Sequence, residues 1–230
     1  MIVRGSGDRV QLITQPDHAH LAGTIMARSV HLATRPRRDA ILHAVREHDN
    51  GWAEEDAAPT IDPKTGEILD FVTVPVGTRH RVWPRGIARL ADDPWAAALV
   101  AHHAYTVYER FRSDAEWTSF FAAMQDARDA RMRASGLSFD DLAADYRYLR
   151  LGDLISLVFC TGWRDPQRLG EWSVQLSGAR VVVMPDAFGR STIPIEIAAR
   201  EVRSHRFRSD AELRDAWSHA ETITLRGEVR

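Results

Sequence analysis

Apolar positions change their spacing twice along the chain, and these changes separate a helical centre from two β-rich ends. In the centre, apolar residues recur every three or four positions, which is the period of an amphipathic helix. Near the ends they form short runs around turns, and Gly5-Ser6-Gly7-Asp8 and Ser177-Gly178 each predict a hairpin. Helices are predicted over about 18–31, 36–49, 81–90, 93–112, 114–134, 138–161 and 209–220, with further strands in TIPIEIAAREV and TITLRG.

This order of elements predicts a mainly helical fold, with a small antiparallel β element formed by the N- and C-terminal segments. No repeat, low-complexity tract or linker divides the chain. We therefore expect a single domain over 1–230, with a helical core at about 16–162 and a β-rich extension at about 163–230. Residues 50–80 hold three prolines and little periodicity, so we expect a long irregular loop there, either a functional lid or a plain connector.

Composition and charge indicate a soluble protein without a strongly charged surface. The 230 residues include 30 Lys and Arg against 32 Asp and Glu, a net charge of −2, so no basic field predicts binding to nucleic acid or an anionic membrane. The single cysteine, Cys160, excludes a disulfide within the chain and fits a reducing compartment. Because neither a signal-peptide core nor a membrane-spanning apolar run is present, we expect a cytoplasmic protein.

A histidine and a carboxylate lie on the apolar face of the helix that ends in EHDNGW. At about 100° per residue, His48 and Asp49 project onto the same face as Ile41 and Val45. An ionised carboxylate on a buried face is costly unless a partner compensates its charge. A buried His–Asp pair is the plain explanation, and a bound metal ion is the functional one.

A second carboxylate interrupts an apolar stripe in the helix that contains DYRYLRLGDLISLVFC. Asp153 shares this stripe with Tyr146, Leu149 and Leu157. No lysine or arginine lies on the stripe, although Arg150 is near its edge. An ion pair with another element and a bound cation are the two explanations that remain open.

Histidines on other elements complete a set of residue types that bind metals. His18 begins the first helix, His80 follows the long loop, and His102 and His103 lie on a nearly all-apolar helix. Imidazole and carboxylate together suit Mn, Fe, Co, Ni and Zn. One ion would take His18, His48, Asp49 and Asp153. A second would take Asp49 as a bridge, His80, and either His102 or His103.

The order His … His-Asp … His … His … Asp on helices resembles the HD-domain superfamily of metal-dependent phosphohydrolases. It is most similar to an uncharacterised bacterial branch known only as a domain of unknown function. That branch is expected to carry QPDH at its start, EHDxGW at a helix end and xxDLxSLxxC on a later helix. The matching letters here are Gln15–His18, Glu47–Trp52 and Leu151–Cys160. The likeness covers most of the chain, including the β-rich tail.

The resemblance implies an HD-like, all-helical metal core and assigns roles to residues. Its first histidine corresponds to His18, its name-giving pair to His48 and Asp49, and its last aspartate to Asp153. The two additional histidines of dinuclear members correspond to His80 and to His102 or His103. Many hydrolase members carry a lysine shortly after the pair, and the phosphate contact of that lysine has no counterpart here because Trp52 takes its place.

These observations predict a metal-dependent enzyme that hydrolyses a small phosphorylated metabolite or nucleotide. Two alternatives are a mixed-valence di-iron oxygenase acting on a C–H or C–P bond, as in a small set of dinuclear HD proteins, and a non-catalytic metal-binding or ligand-sensing domain. The expected cofactor is a pair of divalent transition metal ions, with Fe or Mn preferred over Zn, Co, Ni and Mg. The expected partner is a small anionic molecule, and the sequence does not decide whether the chain forms a homodimer.

The candidate residues fall into three groups by expected role. The catalytic candidates are Asp49, Glu54 and Asp56. The substrate-binding candidates are Trp52, Arg79, Arg81 and Arg150. The metal-ligand candidates are His18, His48, Asp49, His80, His102, His103 and Asp153.

Overall fold

The structure, a computed structural model, describes residues 1–230 and combines nine helices with one sheet. The helices are α1 (Gln15–Met26), α2 (Val30–Ala33), α3 (Arg38–Glu47), α4 (Ala53–Ala57), α5 (Val76–Ala88), α6 (Pro94–Val107), α7 (Thr118–Ser135), α8 (Phe139–Thr161) and α9 (Asp210–His219). The strands are β1 (Ile2–Ser6), β2 (Arg9–Ile13), β3 (Gln167–Leu169), β4 (Trp172–Ser177), β5 (Arg180–Met184), β6 (Ile193–Arg203) and β7 (Glu221–Val229). None of the helices has the combined length and hydrophobicity that crossing a bilayer demands.

The seven strands form one mixed sheet in the order β1-β2-β6-β7-β5-β4-β3. Neighbouring strands are antiparallel except β5 and β7, which pair in parallel through Arg180–Glu228 and Val181–Val229. The prediction of a mainly helical, HD-like bundle with a small antiparallel β element is therefore wrong. Both predicted hairpins exist, but β6 and β7 join them into one large sheet through long-range pairings. Such pairings depend on residues far apart in the chain, which local patterns do not reveal.

Four helices build the part of the fold that carries the predicted site. Helix α1 packs against α3 and α8, and α3 also packs against α6 and α8. The buried face of α3 contributes Ile41 and Val45 to the core, as its apolar period predicts. Helix α8 also contacts β1, β3, β4 and β5, while α1 contacts β6. These two helices therefore connect the helical layer to the sheet.

Capping side chains determine where α1 and α8 begin. Thr14 caps α1 by accepting a hydrogen bond from the backbone N of Asp17 at 3.1 Å, so the helix starts at Gln15, slightly before the predicted start at about residue 18. Ser138 and Asp141 form a capping box at the start of α8, with reciprocal bonds of 3.1 and 3.0 Å. These starts place His18 in the first turns of α1 and Asp153 in the middle of α8.

The segment from 50 to 80 is more regular than the predicted irregular loop. It contains a 3₁₀ turn at Asn50–Trp52, helix α4, an isolated bridge between Ile61 and Ile68, and the start of α5 at Val76. The backbone N of Phe71 also donates to the carbonyl of Met1 at 3.0 Å. The irregular part is therefore confined to the residues between α4 and α5.

Gly152 allows α8 to cross α1 and α3 closely, immediately before Asp153. A Cβ at this position would lie 2.6 Å from Cγ of Met26 and 2.9 Å from Cγ1 of Val45. We expect Gly152→Ala to lower the free energy of unfolding by about 2 kcal/mol, the usual size of an overpacking penalty. Urea denaturation would measure this change in the free energy of unfolding. Gly5→Ala is the control, because nothing lies within 4 Å of its added Cβ. Equal stability of the two variants would contradict a tight crossing at Gly152.

Candidate metal centre

Five of the predicted site residues converge where α1, α3, α6 and α8 approach one another. They are His18 on α1, His48 and Asp49 directly after α3, His103 on α6 and Asp153 on α8. The three imidazoles and Asp49 are buried, and the side chain of Asp153 is 13% exposed. Burial of so many ionisable groups together requires a compensating charge or a dense set of hydrogen bonds.

The turn after Asp49 packs tightly against α5 and holds the end of α3 in place. A Cβ on Gly51 would collide with the carbonyl oxygen of Val82, so glycine is required at this position. Gly51 lies just after the end of α3 and permits this close approach. Trp52 follows with only 2% of its surface exposed.

The four distances that join two imidazole nitrogens to two carboxylate oxygens of the cluster are nearly equal. Nε2 of His18 lies 3.3 Å from Oδ1 of Asp153 and 3.5 Å from Oδ2 of Asp49. Nε2 of His48 lies 3.6 Å and 3.5 Å from the same two oxygens. These separations exceed the roughly 2.7–3.2 Å of an N–H···O hydrogen bond, and neither nitrogen has a hydrogen-bond partner. Tetrahedral ligands at about 2.0–2.2 Å from a shared ion would be about 3.3–3.6 Å apart.

The opposite nitrogen of each ring is held by an outer hydrogen bond. Nδ1 of His48 lies 2.8 Å from the carbonyl oxygen of Val45, which can only accept. Nδ1 of His18 lies 2.7 Å from Oγ of Ser156, and that hydroxyl donates to the carbonyl of Asp153 at 3.1 Å, so it accepts from His18. In the neutral rings, each Nε2 lone pair therefore faces the carboxylates. Metal-binding histidines are typically oriented by this kind of outer partner.

The charges of the cluster are strongly coupled. Burial alone lowers the pKa of His18, but the carboxylates of Asp153 and Asp49 outweigh burial and raise it well above 6.5. The pKa of His48 is also raised, because the same carboxylates exceed the effect of burial. Burial opposes ionisation of Asp49 and Asp153, yet the facing imidazoles hold both pKa values below 3.8. Without a metal, the raised pKa values favour protonation of these imidazoles beside the carboxylates, so protons take the role that a divalent cation would take.

His103 lies at the side of this cluster rather than between its ligands. Its Nε2 is 3.7 Å from Oδ2 of Asp153, and its ring is 5.3 Å from that of His48. Nδ1 of His103 lies 3.1 Å from the hydroxyl of Tyr146. Burial lowers the pKa of His103 to about 3, so the ring is neutral. The sequence left His102 and His103 open, and the structure places His103 at the cluster.

Two other candidate ligands lie elsewhere. His80 packs between Trp117 and Phe120, with ring centroids 4.8 and 5.0 Å away. His102 packs against Tyr146 at 4.5 Å, and burial lowers its pKa to about 4. The groups of side chains that could hold an ion are His18 with His48 and Asp49, and His48 with His103 and Asp153. Of the second predicted ligand set, only Asp49 and His103 therefore lie at the cluster.

The candidate catalytic carboxylates after Trp52 do not face the cluster. Glu54 pairs with Arg85 and Arg89 on the surface. Asp56 is buried, pairs with the N-terminal amine, and accepts from the backbone N of Gln15 at 2.5 Å. Both carboxylates therefore serve local packing around α1, α4 and α5.

A cavity of about 130 Å³ lies against the cluster, and Asp49, His103 and Asp153 are part of its wall. Of the four candidates for substrate binding, Trp52 and Arg79 also line it, whereas Arg81 and Arg150 do not. The remaining wall residues are Gln15, Phe71, Val72, Trp83, Val107, Tyr108, Arg110 and Leu157. The cavity therefore joins a buried group of imidazoles and carboxylates to a largely apolar space.

The sequence reasoning missed several residues around the cluster. Ser156 had a usable signal, because it lies three residues after Asp153 on the same face of α8. Tyr146 was noted only as part of the apolar stripe, although its hydroxyl contacts His103. Tyr108 and Arg110 have no local pattern that distinguishes them from other residues near the end of α6.

Comparisons with known proteins identify a family without a described activity. No curated protein and no solved structure matches the chain. Residues 1–204 match the model of a family described as "Protein of unknown function (DUF3891)". The expectation of an uncharacterised family is thereby confirmed, and its relation to the HD-domain superfamily stays a prediction. Because the match spans most of its length, the chain belongs to the DUF3891 family.

Proposed function

We propose that the chain is a metal-dependent hydrolase that binds one divalent transition metal ion and cleaves a small phosphoester. The ligands are His18, His48, Asp49 and Asp153. The observation that carries the proposal is the pair of partnerless Nε2 atoms, each about 3.5 Å from one carboxylate oxygen of Asp49 and one of Asp153. The similarity of the residue order to HD-domain phosphohydrolases supports the reaction class.

One ion is proposed rather than two because the residues expected for the second are dispersed. His80 and His102 lie against aromatic side chains away from the cluster, which leaves only His103 beside Asp153. Mixed imidazole and carboxylate ligands favour Mn, Fe, Co, Ni or Zn over Mg. The di-iron oxygenase alternative depends on the second ligand set, so no observation here favours it over hydrolysis.

The cavity argues for catalysis rather than a purely structural ion. Structural sites are usually closed by four tetrahedral protein ligands, so an ion held by the four side chains here would need a fifth position, open to the cavity, to be catalytic. Here Asp49 and Asp153 both line the cavity, and the Asp153 side chain is 13% exposed. A ligand entering the cavity would therefore reach the cluster directly.

The protein's own residues suit binding and polarisation of a phosphate. A divalent ion at this position would supply an activated water and neutralise charge on phosphate oxygens. Asp49 and Asp153 remain ionised because the imidazoles lower both pKa values. His103 is too weak a base to take a proton at neutral pH, so its Nε2 orients a substrate or water by hydrogen bonding. Trp52 and Trp83 line the wall and exclude bulk water.

Release of inorganic phosphate from a panel of phosphomonoesters tests the proposed reaction. The purified chain would be assayed with Mn²⁺, Fe²⁺, Co²⁺ or Zn²⁺, in air and under anaerobic conditions. Metal-dependent phosphate release that is independent of O₂ supports hydrolysis. Turnover that requires O₂, or tight metal binding without turnover of any phosphoester, would argue against it.

The affinity for metal is expected to fall as the pH decreases. The pKa values of His18 and His48 are raised, so protons compete with the ion, while the aspartates stay ionised throughout. Each displaced proton changes the affinity by up to about tenfold per pH unit. Stabilisation by the protonated imidazoles is complete below pH 6.5 and is lost as the pH rises through the raised values.

Bound metal should therefore stabilise the chain most at alkaline pH. The difference between the Tm with saturating Mn²⁺ and the Tm with EDTA, measured from about pH 6 to pH 9, is expected to increase. A difference that stays constant or decreases over this range would contradict competition between the ion and the imidazole protons.

A further inference from the structure

The cavity wall contains two arginines that have no carboxylate partner. Arg79 and Arg110 both line the cavity, and neither forms an ion pair. By contrast, the nearby Arg81, Arg85 and Arg89 all pair with Glu54 or Glu55. The only carboxylates of the wall are Asp49 and Asp153, which belong to the metal cluster. The two guanidinium groups are therefore available to an anion in the cavity.

The two arginines differ in how firmly they are held. A terminal nitrogen of Arg79 donates to the carbonyl of Val72, while Nε of Arg79 is buried without a hydrogen-bond partner. Arg110 is exposed, and its guanidinium lies 4.7 Å from the ring centroid of Phe111. The cavity thus extends from buried carboxylates at the cluster to cationic groups nearer the surface.

Tyr108 adds a hydroxyl donor to the same wall. Its oxygen accepts from Nε1 of Trp83 at 3.3 Å, and its own proton has no acceptor within the protein. Burial raises the pKa of Tyr108 to about 12, so the hydroxyl stays protonated. Phe71, Val107 and Leu157 form apolar wall surface. A ligand in this cavity would therefore meet cationic and hydroxyl donors as well as apolar surface.

We propose that Arg79, Arg110 and Tyr108 form a second anion subsite, so that the substrate is a small phosphoester with a second anionic group on an apolar or aromatic spacer. This inference rests on the proposed function, because it assigns the first anionic group to the metal cluster. The absence of carboxylate partners for both arginines carries it. Charge-assisted hydrogen bonds from guanidinium groups are strong enough to decide specificity.

Phenyl phosphate and 4-carboxyphenyl phosphate are a matched pair that tests the subsite. With the metal-loaded wild type, kcat/KM is expected to be about tenfold or more higher for the carboxylated compound. Arg79→Gln and Arg110→Gln should each reduce this preference. Arg112→Gln is the matched control, because Arg112 is exposed, close in sequence to Arg110 and outside the cavity wall. The preference should also weaken at high salt.

Binding measurements separate failure of the subsite from failure of the proposed function. Calorimetry with phenylphosphonate and 4-carboxyphenylphosphonate would use the wild type with Mn²⁺, the wild type with EDTA, and the arginine variants. A carboxylate preference that Arg110→Gln removes, without turnover of either ester, supports the subsite and overturns the hydrolase. No carboxylate preference in either assay, or a preference that Arg79→Gln and Arg110→Gln leave intact, overturns the subsite. Arg110 is exposed, so its variant is expected to fold even if Arg79→Gln does not.

Discussion

Asp153→Asn is expected to abolish tight binding of a divalent metal ion and, with it, metal-dependent activity. Oδ1 of Asp153 faces Nε2 of both His18 and His48, and Oδ2 faces Nε2 of His103. Asp153 therefore contacts all three imidazoles of the cluster. Loss of an outer partner of a metal ligand typically costs about 10–100-fold in affinity, and loss of a ligand itself should cost more. The amide keeps the shape of the side chain but removes its charge.

Two measurements test this prediction. Metal content after dialysis should fall from about one ion per chain in the wild type to near zero in the variant. Saturating Mn²⁺ at about 100 times its Kd should stabilise the wild type by about 2.7 kcal/mol, which corresponds to roughly 5–10 °C in Tm, and should leave the variant unchanged.

The control for Asp153→Asn is a carboxylate on the same helix. Asp140 is exposed in the first turn of α8 and forms no ion pair, so Asp140→Asn should bind metal like the wild type. The Asp153 variant should also be less stable without metal. Although burial raises the pKa of Asp153, the imidazoles lower it well below 3.8, and this stabilisation is present at neutral pH and lost in acid. Wild-type affinity in Asp153→Asn would remove the basis of the metal centre.

The residues of the cluster could be predicted from the sequence because each is a polar residue on an otherwise apolar helix face. Asp49 and Asp153 are acids on helical stripes that otherwise consist of core residues, and helical projection identifies such positions. Their convergence was a reasoned expectation, since buried charges require partners. His103 could not be separated from His102 in this way, because the helix around them is apolar on nearly every side and gives no face to prefer.

The sheet and the outer cavity wall could not be predicted from the sequence, because both depend on contacts between distant segments. Residues 193–203 and 221–229 read as strands individually, but their pairing with β2 and β5 brings together segments far apart in the chain. Arg110 belongs to the cavity only because the end of α6 lies near the loop that contains Phe71 and Val72. Neither relation leaves a periodic pattern in the local sequence.

Asp145, a fully buried carboxylate earlier in α8, is surrounded by hydrogen-bond donors of the protein. Asp145 is fully buried and accepts from Arg35 at 2.8 Å, from Arg37 at 2.5 Å and from Nε1 of Trp95 at 3.0 Å. All of its neighbours are donors, so its charge is compensated by the protein. Asp153 instead faces two imidazole Nε2 atoms that have no hydrogen-bond partner, and this contrast separates a structural ion pair from a candidate metal ligand on one helix.

Asp145→Ala is expected to destabilise the chain by about 3 kcal/mol while leaving metal affinity unchanged in the folded protein. Breaking a buried ion pair by removing one partner usually costs about 3–5 kcal/mol, and the lower end applies because Arg35 and Arg37 are 29% and 22% exposed and can reach water. Chemical denaturation and calorimetry with Mn²⁺ would measure the two quantities. Asp39→Ala is the control, because Asp39 is 98% exposed and its pair with Arg38 should contribute less than about 0.5 kcal/mol. A loss of metal affinity in Asp145→Ala without a loss of stability would contradict a purely structural role for Asp145. It would mean that Asp145 acts on the cluster rather than on the packing of α8 against Arg35 and Arg37.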